Sequence, residues 1–147
     1  MSPHPRPRAY VASSFSQAHR IPAVAAVLEQ AEWDIIDCWW KKDEKDSLPS
    51  NPDDFYASPT TKAIAARHWR AIQDCDALVL VADLEHYTRF TGAAVEFGYA
   101  HALGKPLVVY GLAKRSAMWS PAIHVATPTG LLAVMRDLNY HNPRGED

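Results

Sequence analysis

Short apolar runs alternate with amphipathic segments along most of the chain. The runs at residues 9–15, 33–40, 77–82 and 106–112 are rich in β-branched and aromatic side chains, which is typical of strands. Residues 77–82 (ALVLVA) are apolar at every position, as expected for a strand of a parallel sheet that is covered on both faces. A short edge strand is also expected at residues 124–126.

Apolar side chains recur at helical spacing between these runs. In residues 22–31 they fall at positions i, i+3, i+4 and i+7 from Val24, and Pro22 stands where a first helical turn tolerates proline. Thr127 followed by Pro128 marks the start of a last helix. The same spacing predicts helices over residues 61–73 and 91–103.

The segment 41–60 interrupts this alternation. It contains the run KKDEKD, three prolines and few large apolar side chains. Irregular loops of this length are uncommon inside compact domains, where they are either functional or disordered. We therefore expect a loop without secondary structure that is either a lid over a ligand site or disordered.

The order of strands and helices predicts a doubly wound α/β fold, with a five-stranded parallel sheet of flavodoxin-like order 2-1-3-4-5. A single domain is expected over residues 9–140, with a disordered arm at 1–8 and a tail at 141–147. Sheets of this kind bind ligands at the carboxyl ends of their strands, where the strand order reverses. That point lies between the first and third strands, which directs attention to residues 13–20 and 83–96.

Composition and charge narrow the range of partners. The formal net charge of -2 argues against a nucleic acid polymer or an acidic membrane surface as a partner. Cys38 and Cys75 are too few for a zinc pattern or a disulfide framework, so we expect no metal and a reduced, cytoplasmic location. No signal peptide or membrane-spanning run is expected.

The first of the two segments is rich in hydroxyl groups. Ser13, Ser14, Phe15 and Ser16 stand at the end of the first predicted strand, and Arg20 stands near the start of the next helix. Hydroxyls, backbone N–H groups and a cation at a helix N-terminus can hold ribose hydroxyls or a phosphate. The alternative is a polar turn with capping residues.

The second segment contains Gly92 and Glu96. Gly92 lacks a side chain where the chain enters a helix, so a ligand can approach the backbone there. We place Glu96 in or near the first helical turn, where the helix dipole favours a carboxylate over a carboxylic acid. We also expect Gly98 to allow close packing of this helix on the sheet. The alternative for Glu96 is a surface residue that the dipole stabilises.

Residues 76–111 resemble the signature of the nucleoside 2-deoxyribosyltransferase family, and residues 10–15 (YVASSF) resemble its first strand and loop. Asp76 opens the buried strand of that signature. The remaining matches are a Gly-x-x-x-Glu-x-Gly-x-Ala motif followed by Gly-Lys-Pro, formed here by Gly92, Glu96, Gly98, Ala100, Gly104, Lys105 and Pro106.

The resemblance implies that Glu96 is the nucleophile that attacks the anomeric carbon of a nucleoside. The family's usual acid, an aspartate eight residues before Asp76, is replaced here by His68. His68 either donates the proton to the leaving base, since its unperturbed pKa is about 6.5, or is a core residue. Asp83, at the end of the third strand, is an alternative acid or base-binding group.

Several functional alternatives remain open. Trp39 either stacks on a base or packs in the core. The chain either exchanges nucleobases as a transferase, hydrolyses nucleoside 5′-monophosphates, or binds nucleotides without catalysis. An NAD-cleaving domain is a further possibility that no residue favours. The resemblance implies a small-molecule nucleoside or nucleotide as substrate, no cofactor, and a homo-oligomer.

Overall fold

A computed structural model of the chain describes residues 5–42, 48–82, 91–111 and 117–142. Within these ranges every strand belongs to one sheet, and each neighbouring pair of strands is parallel. The sheet order is β2-β1-β3-β4-β5, which confirms the predicted doubly wound arrangement. Its five strands are β1 Arg8–Ala12, β2 Asp34–Ile35, β3 Ala77–Val81, β4 Leu107–Tyr110 and β5 Ile123–Val125.

Helices cover both faces of this sheet. The α-helices are α1 Ile21–Gln30, α2 Pro52–Ala57, α3 Pro59–Asp74, α4 Thr91–Ala102 and α5 Pro128–Tyr140. Short 3-10 helices span Phe15–Arg20, Trp39–Lys41 and Ala117–Trp119.

The helices pack in two groups. Helix α1 contacts α5, whereas α3 contacts α4, and both α3 and α4 contact β1. The chain moves from β1 to β2 in one direction and from β2 through β3 to β4 in the other. Because such crossovers are right-handed, α1 lies on the face of the sheet opposite to α3 and α4. The face of β1 under α3 and α4 is therefore where side chains from three elements meet.

The second strand is much shorter than predicted. We expected a strand over residues 33–40, but β2 ends at Ile35 and a 3-10 helix begins at Trp39. Trp33 is fully packed in the core, and its indole N–H donates to the Met135 carbonyl. Asp37 has a φ of 50°, which ends the extended conformation. The run of apolar residues thus reflects core packing around a turn rather than a continuous strand.

The prediction that residues 41–60 lack secondary structure is wrong for the part that the structure describes. Helix α2 lies inside this segment, and α3 begins at Pro59. The Asn51 side chain accepts hydrogen bonds from the backbone N–H groups of Asp53 and Asp54, and Pro52 occupies the first turn. An asparagine cap followed by proline is a helix start that composition alone obscured.

Strand β1 and helix α5 are the first and last elements among the described residues. Strand β1 begins at Arg8, the last residue of the predicted arm, and the Arg8 backbone N–H donates to Asp76 Oδ2 at 2.8 Å. Helix α5 starts after Thr127, whose hydroxyl accepts from the Gly130 N–H. Among the described helices, none is both long enough and apolar enough to cross a membrane.

Candidate active site

Glu96 points from α4 toward the sheet. Helix α4 begins at Thr91, so Glu96 lies in the second turn, just past the first turn, within the range that we expected. Its side chain is only 13% exposed. Removing a carboxylate from water favours the protonated form. Burial thus opposes the stabilisation of the anion that we expected from the helix dipole.

Tyr10 is the partner of Glu96. It is fully buried in the middle of β1, and its hydroxyl donates a hydrogen bond to Glu96 Oε2. The pKa of Glu96 is raised to about 7 as the net result of three effects. Burial raises the pKa most, the Tyr10 hydrogen bond lowers it, and the nearby Asp37 carboxylate raises it. The pKa of Tyr10 is raised well above its usual range by burial and by Glu96, so Tyr10 remains a donor.

His68, on α3, completes the group. Its Nδ1 lies 3.9 Å from Glu96 Oε2, and its Nε2 lies 3.5 Å from Asp37 Oδ2. The imidazole meets the Tyr10 ring edge-on, with 6.2 Å between the ring centroids. The imidazole therefore lies between two carboxylates, which is a position suited to proton transfer.

Asp37 lies in the turn after β2 and is held by two cations. Its Oδ1 accepts from Arg67 Nε at 2.8 Å and from Lys42 Nζ at 3.2 Å. The side chain is 4% exposed. These contacts connect the turn after β2 with α3. Asp37 and Glu96 therefore face opposite nitrogens of the His68 imidazole.

The arrangement has the parts of a nucleophilic site. Glu96 Oε2 is occupied by Tyr10, whereas Oε1 accepts no hydrogen bond from the described residues. An imidazole adjoins the carboxylate and can carry a proton. The part of the chain that the structure describes holds no cluster of three or more His, Cys, Asp or Glu side chains suited to a metal ion.

The serine-rich loop lies at the carboxyl ends of β1 and β3. Ser13 Oγ donates to the Val81 carbonyl at 3.0 Å, and the hydroxyls of Ser14 and Ser16 are 2.8 Å apart. Both interactions leave acceptor lone pairs on the serine oxygens. The loop therefore lies at the edge of the sheet where the topology predicts a ligand.

Arg20 is anchored at the same edge. Its guanidinium donates to the Ala82 carbonyl at 3.2 Å and to Gln17 Oε1 at 3.4 Å. These bonds fix the position of the guanidinium. The bonds place a positive charge beside the end of β3.

Trp39 and Phe15 differ in exposure. Trp39 is buried, and its indole N–H donates to the Val11 carbonyl at 2.7 Å. The Phe15 ring is 46% exposed and rests edge-on against Trp39, with 5.5 Å between the ring centroids. This burial favours the core alternative for Trp39, which supports Phe15 from beneath. Phe15 is the ring that is free to contact a ligand.

The two predicted glycines of α4 are exposed to solvent. Gly92 is exposed in the first turn of α4, and an added Cβ would meet no described heavy atom within 4 Å. Gly98 is also exposed, so our expectation that it packs the helix on the sheet is wrong. Asp83 lies outside the described residues.

Sequence reasoning missed Tyr10 and Asp37 as site residues. Tyr10 stands among aliphatic neighbours in a buried strand, where the pattern indicates core packing. A buried tyrosine hydroxyl nevertheless needs a partner, and that requirement was the available signal. Asp37 lies inside the strand predicted at residues 33–40, close to Trp39 and Trp40, and nothing in the local pattern indicates that it faces His68.

Comparison with known proteins assigns the chain to a family. A sequence model of the nucleoside 2-deoxyribosyltransferase family matches residues 9–138. A search of curated proteins finds no match.

Solved structures share the fold at low sequence identity. The 2-deoxyribosyltransferase of Bacillus psychrosaccharolyticus has a TM-score of 0.62 and 16% identity, covering 87% of this chain and 95% of that chain. A conserved protein of Enterococcus faecalis V583 has a TM-score of 0.58 and 17% identity, covering 90% and 99%. A CMP N-glycosidase of Clostridium botulinum has a TM-score of 0.50 and 17% identity, covering 87% and 97%.

Proposed function

The chain belongs to the nucleoside 2-deoxyribosyltransferase family, and we propose that it cleaves the N-glycosidic bond of nucleosides or nucleotides with Glu96 as the nucleophile. The family match confirms the resemblance seen in residues 76–111, and the family is one of enzymes. The single observation that carries the proposal is the buried Tyr10–Glu96 hydrogen bond beside His68.

The geometry suggests which oxygen attacks. Tyr10 donates to Glu96 Oε2 and fixes the carboxylate, so Oε1 is the oxygen left for the anomeric carbon. The transition state of such a displacement resembles an oxocarbenium ion, and an adjacent anion stabilises it. Burial raises the pKa of Glu96 to about 7 and leaves the carboxylate poorly solvated. An anion with few solvating partners is a stronger nucleophile than one in water.

The leaving base needs a proton, and His68 is placed to supply it. As the bond between the anomeric carbon and the base breaks, its electron pair goes to the base nitrogen, which takes a proton from the His68 imidazolium and leaves a neutral imidazole. The anomeric carbon forms a bond to Glu96 in the same step. A second base or a water then attacks this glycosyl-enzyme and releases Glu96, with His68 accepting the proton. Asp83 remains the alternative acid.

Transfer to a second nucleobase is the leading reaction in this proposal. Hydrolysis of a nucleoside 5′-monophosphate is the second candidate, and one observation favours it. Arg20 is fixed at the end of β3 by the Ala82 carbonyl, next to a loop of serine hydroxyls. A fixed cation beside hydroxyls and a turn of backbone N–H groups is suited to a phosphate. We further propose that the protein is a homo-oligomer.

The decisive experiment is a substrate panel. The protein is incubated with purine and pyrimidine nucleosides, their 2′-deoxy forms and their 5′-monophosphates, with and without an acceptor base. Chromatography separates exchange, hydrolysis and inactivity. Release of base only from monophosphates supports the hydrolase, and exchange between bases supports the transferase. A protein that binds members of the panel and turns none over contradicts the proposal in favour of a nucleotide-binding domain.

A further inference from the structure

The two carboxylate oxygens of Asp37 differ in their hydrogen bonding. Oδ1 accepts from Arg67 and Lys42. Oδ2 is buried and accepts no hydrogen bond from the described residues, and His68 Nε2 lies 3.5 Å from it. Leaving a buried carboxylate oxygen unpaired is costly, so an N–H on that imidazole nitrogen is strongly favoured.

Arg67 is the competitor for the same imidazole nitrogen. One of its terminal nitrogens lies 3.4 Å from His68 Nε2, and because a guanidinium only donates, that contact would need an unprotonated Nε2. The Arg67 side chain is 35% exposed, so water can solvate its N–H groups. The Asp37 oxygen has no such access. Burial therefore decides the competition in favour of a proton on Nε2.

The backbone of Asp37 supports the same conclusion. Asp37 has a φ of 50°, which few residues other than glycine adopt, although aspartate tolerates it better than most. Strained conformations persist where the surrounding structure imposes them, and they concentrate at functional sites. Here the turn directs the carboxylate inward, toward the imidazole on α3.

We propose that Asp37 is the positioning residue of His68. It accepts the Nε2–H, stabilises the imidazolium, and turns Nδ1 toward the reaction centre. This inference rests on the proposed function, in which Nδ1–H is the proton that the leaving base takes. After that transfer the proton on Nε2 remains paired with Asp37, and the free lone pair on Nδ1 accepts the proton of the incoming water or base.

The surroundings of His68 determine how this pairing responds to pH. Tyr10 faces the imidazole from β1, Glu96 from α4, Asp37 from the turn after β2, and Arg67 from α3 itself. Among these groups the two carboxylates favour the imidazolium and the guanidinium opposes it. Removing only the charge of Asp37 should therefore let His68 lose its proton at lower pH.

The first test measures His68 directly and needs no substrate. Nitrogen-15 NMR of histidine-labelled protein reports the tautomer and the titration midpoint, and the resonances missing from His68→Ala identify His68. We expect the neutral imidazole to carry its proton on Nε2, and Asp37→Asn to lower the midpoint by about one pH unit. Asp34→Asn, an exposed aspartate on the adjacent strand, is the matched control and should leave the midpoint unchanged. A proton on Nδ1 in the unaltered protein overturns the proposal, even if Asp37→Asn fails to fold.

The second test is kinetic. Asp37→Asn should lower kcat by tenfold or more and move the alkaline limb of kcat/KM to lower pH, while Asp37→Glu restores the limb in part. Asp37→Asn combined with His68→Ala should be no slower than His68→Ala alone, because the two residues act as a unit. A purely structural role would lower Tm and leave the alkaline limb in place, and that result overturns the proposal. If the panel shows no turnover but the NMR pattern is present, the proposed function fails and the pairing stands.

Discussion

The hydroxyl of Tyr10, in the centre of β1, donates a hydrogen bond to Oε2 of Glu96 on α4. This bond joins the sheet to the helix layer at the point where the first and third strands are neighbours. It also opposes the effect of burial on the Glu96 pKa, which would otherwise be higher still. The reactivity assigned to Glu96 therefore depends on a residue that is more than eighty positions away in the sequence.

Replacing Glu96 by glutamine should abolish turnover. Glutamine keeps the volume and can still accept from Tyr10, but it has no charge and is a far poorer nucleophile. The loss should be on the order of a thousandfold or more in kcat. Steady-state kinetics on the best substrate of the panel measure it, with Glu29→Gln as a control, since Glu29 is an exposed glutamate on α1. Retention of more than a tenth of the activity, with binding unchanged, removes Glu96 from the role of nucleophile.

The same substitution should stabilise the protein at alkaline pH. The pKa of Glu96 is about 7 in the folded state, against an ordinary value of 4.5, so folding takes up a proton at pH values between the two. Stability from the neutral form is complete below pH 4.5 and is lost as pH rises through 7. Glu96→Gln should then be more stable than the unaltered protein by at most about 3 kcal/mol at pH 8. Urea unfolding at pH 4 and pH 8 tests this, and an equal difference at both values would contradict it.

Tyr10→Phe should shift the acid limb of the activity profile. The Tyr10 hydrogen bond lowers the pKa of Glu96, so its removal should raise that pKa above about 7. The acid limb of kcat/KM then moves to higher pH, and the rate at neutral pH falls about tenfold, as expected for a lost bond to a charged group. The rate should recover in part at alkaline pH. An unchanged acid limb would mean that Glu96 is not the group whose ionisation it reports.

His68→Ala should lower the rate most for substrates whose base is a poor leaving group. Proton transfer contributes about a hundredfold to ten-thousandfold to such reactions. Substrates whose base departs readily need less help, so their loss should be smaller. A series of nucleosides that differ only in the basicity of the leaving base gives the comparison. A uniform loss across the series would indicate that His68 acts on structure or on binding rather than as an acid.

Trp39→Phe should affect stability rather than binding. The indole N–H of Trp39 is bonded to the Val11 carbonyl inside the core, and phenylalanine leaves that acceptor without a donor. We expect a loss of about 1–3 kcal/mol in the free energy of unfolding. KM for a purine and for a pyrimidine substrate should stay within about twofold. A selective rise in KM for one type of base would revive the stacking alternative for Trp39.

The sequence by itself determined the architecture. The all-apolar run at residues 77–82, the helical spacing after it and the cap at Thr127 gave the order of elements, and right-handed crossovers then left little freedom in the sheet order. Glu96 emerged because its motif is local, with the flanking glycines a few residues away. Periodicity and short motifs are both properties of neighbouring residues, so they are visible along the chain.

Only the tertiary structure decided what surrounds Glu96. Tyr10, Asp37 and His68 come from a strand, a turn and a helix that meet on one face of the sheet, and no local pattern specifies such a meeting. Burial there raises the Glu96 pKa, whereas the sequence had suggested a helix dipole that would keep the group anionic. Protonation is set by three-dimensional burial and by charges from distant segments. For that reason the candidate nucleophile was predictable, and the groups that tune it were not.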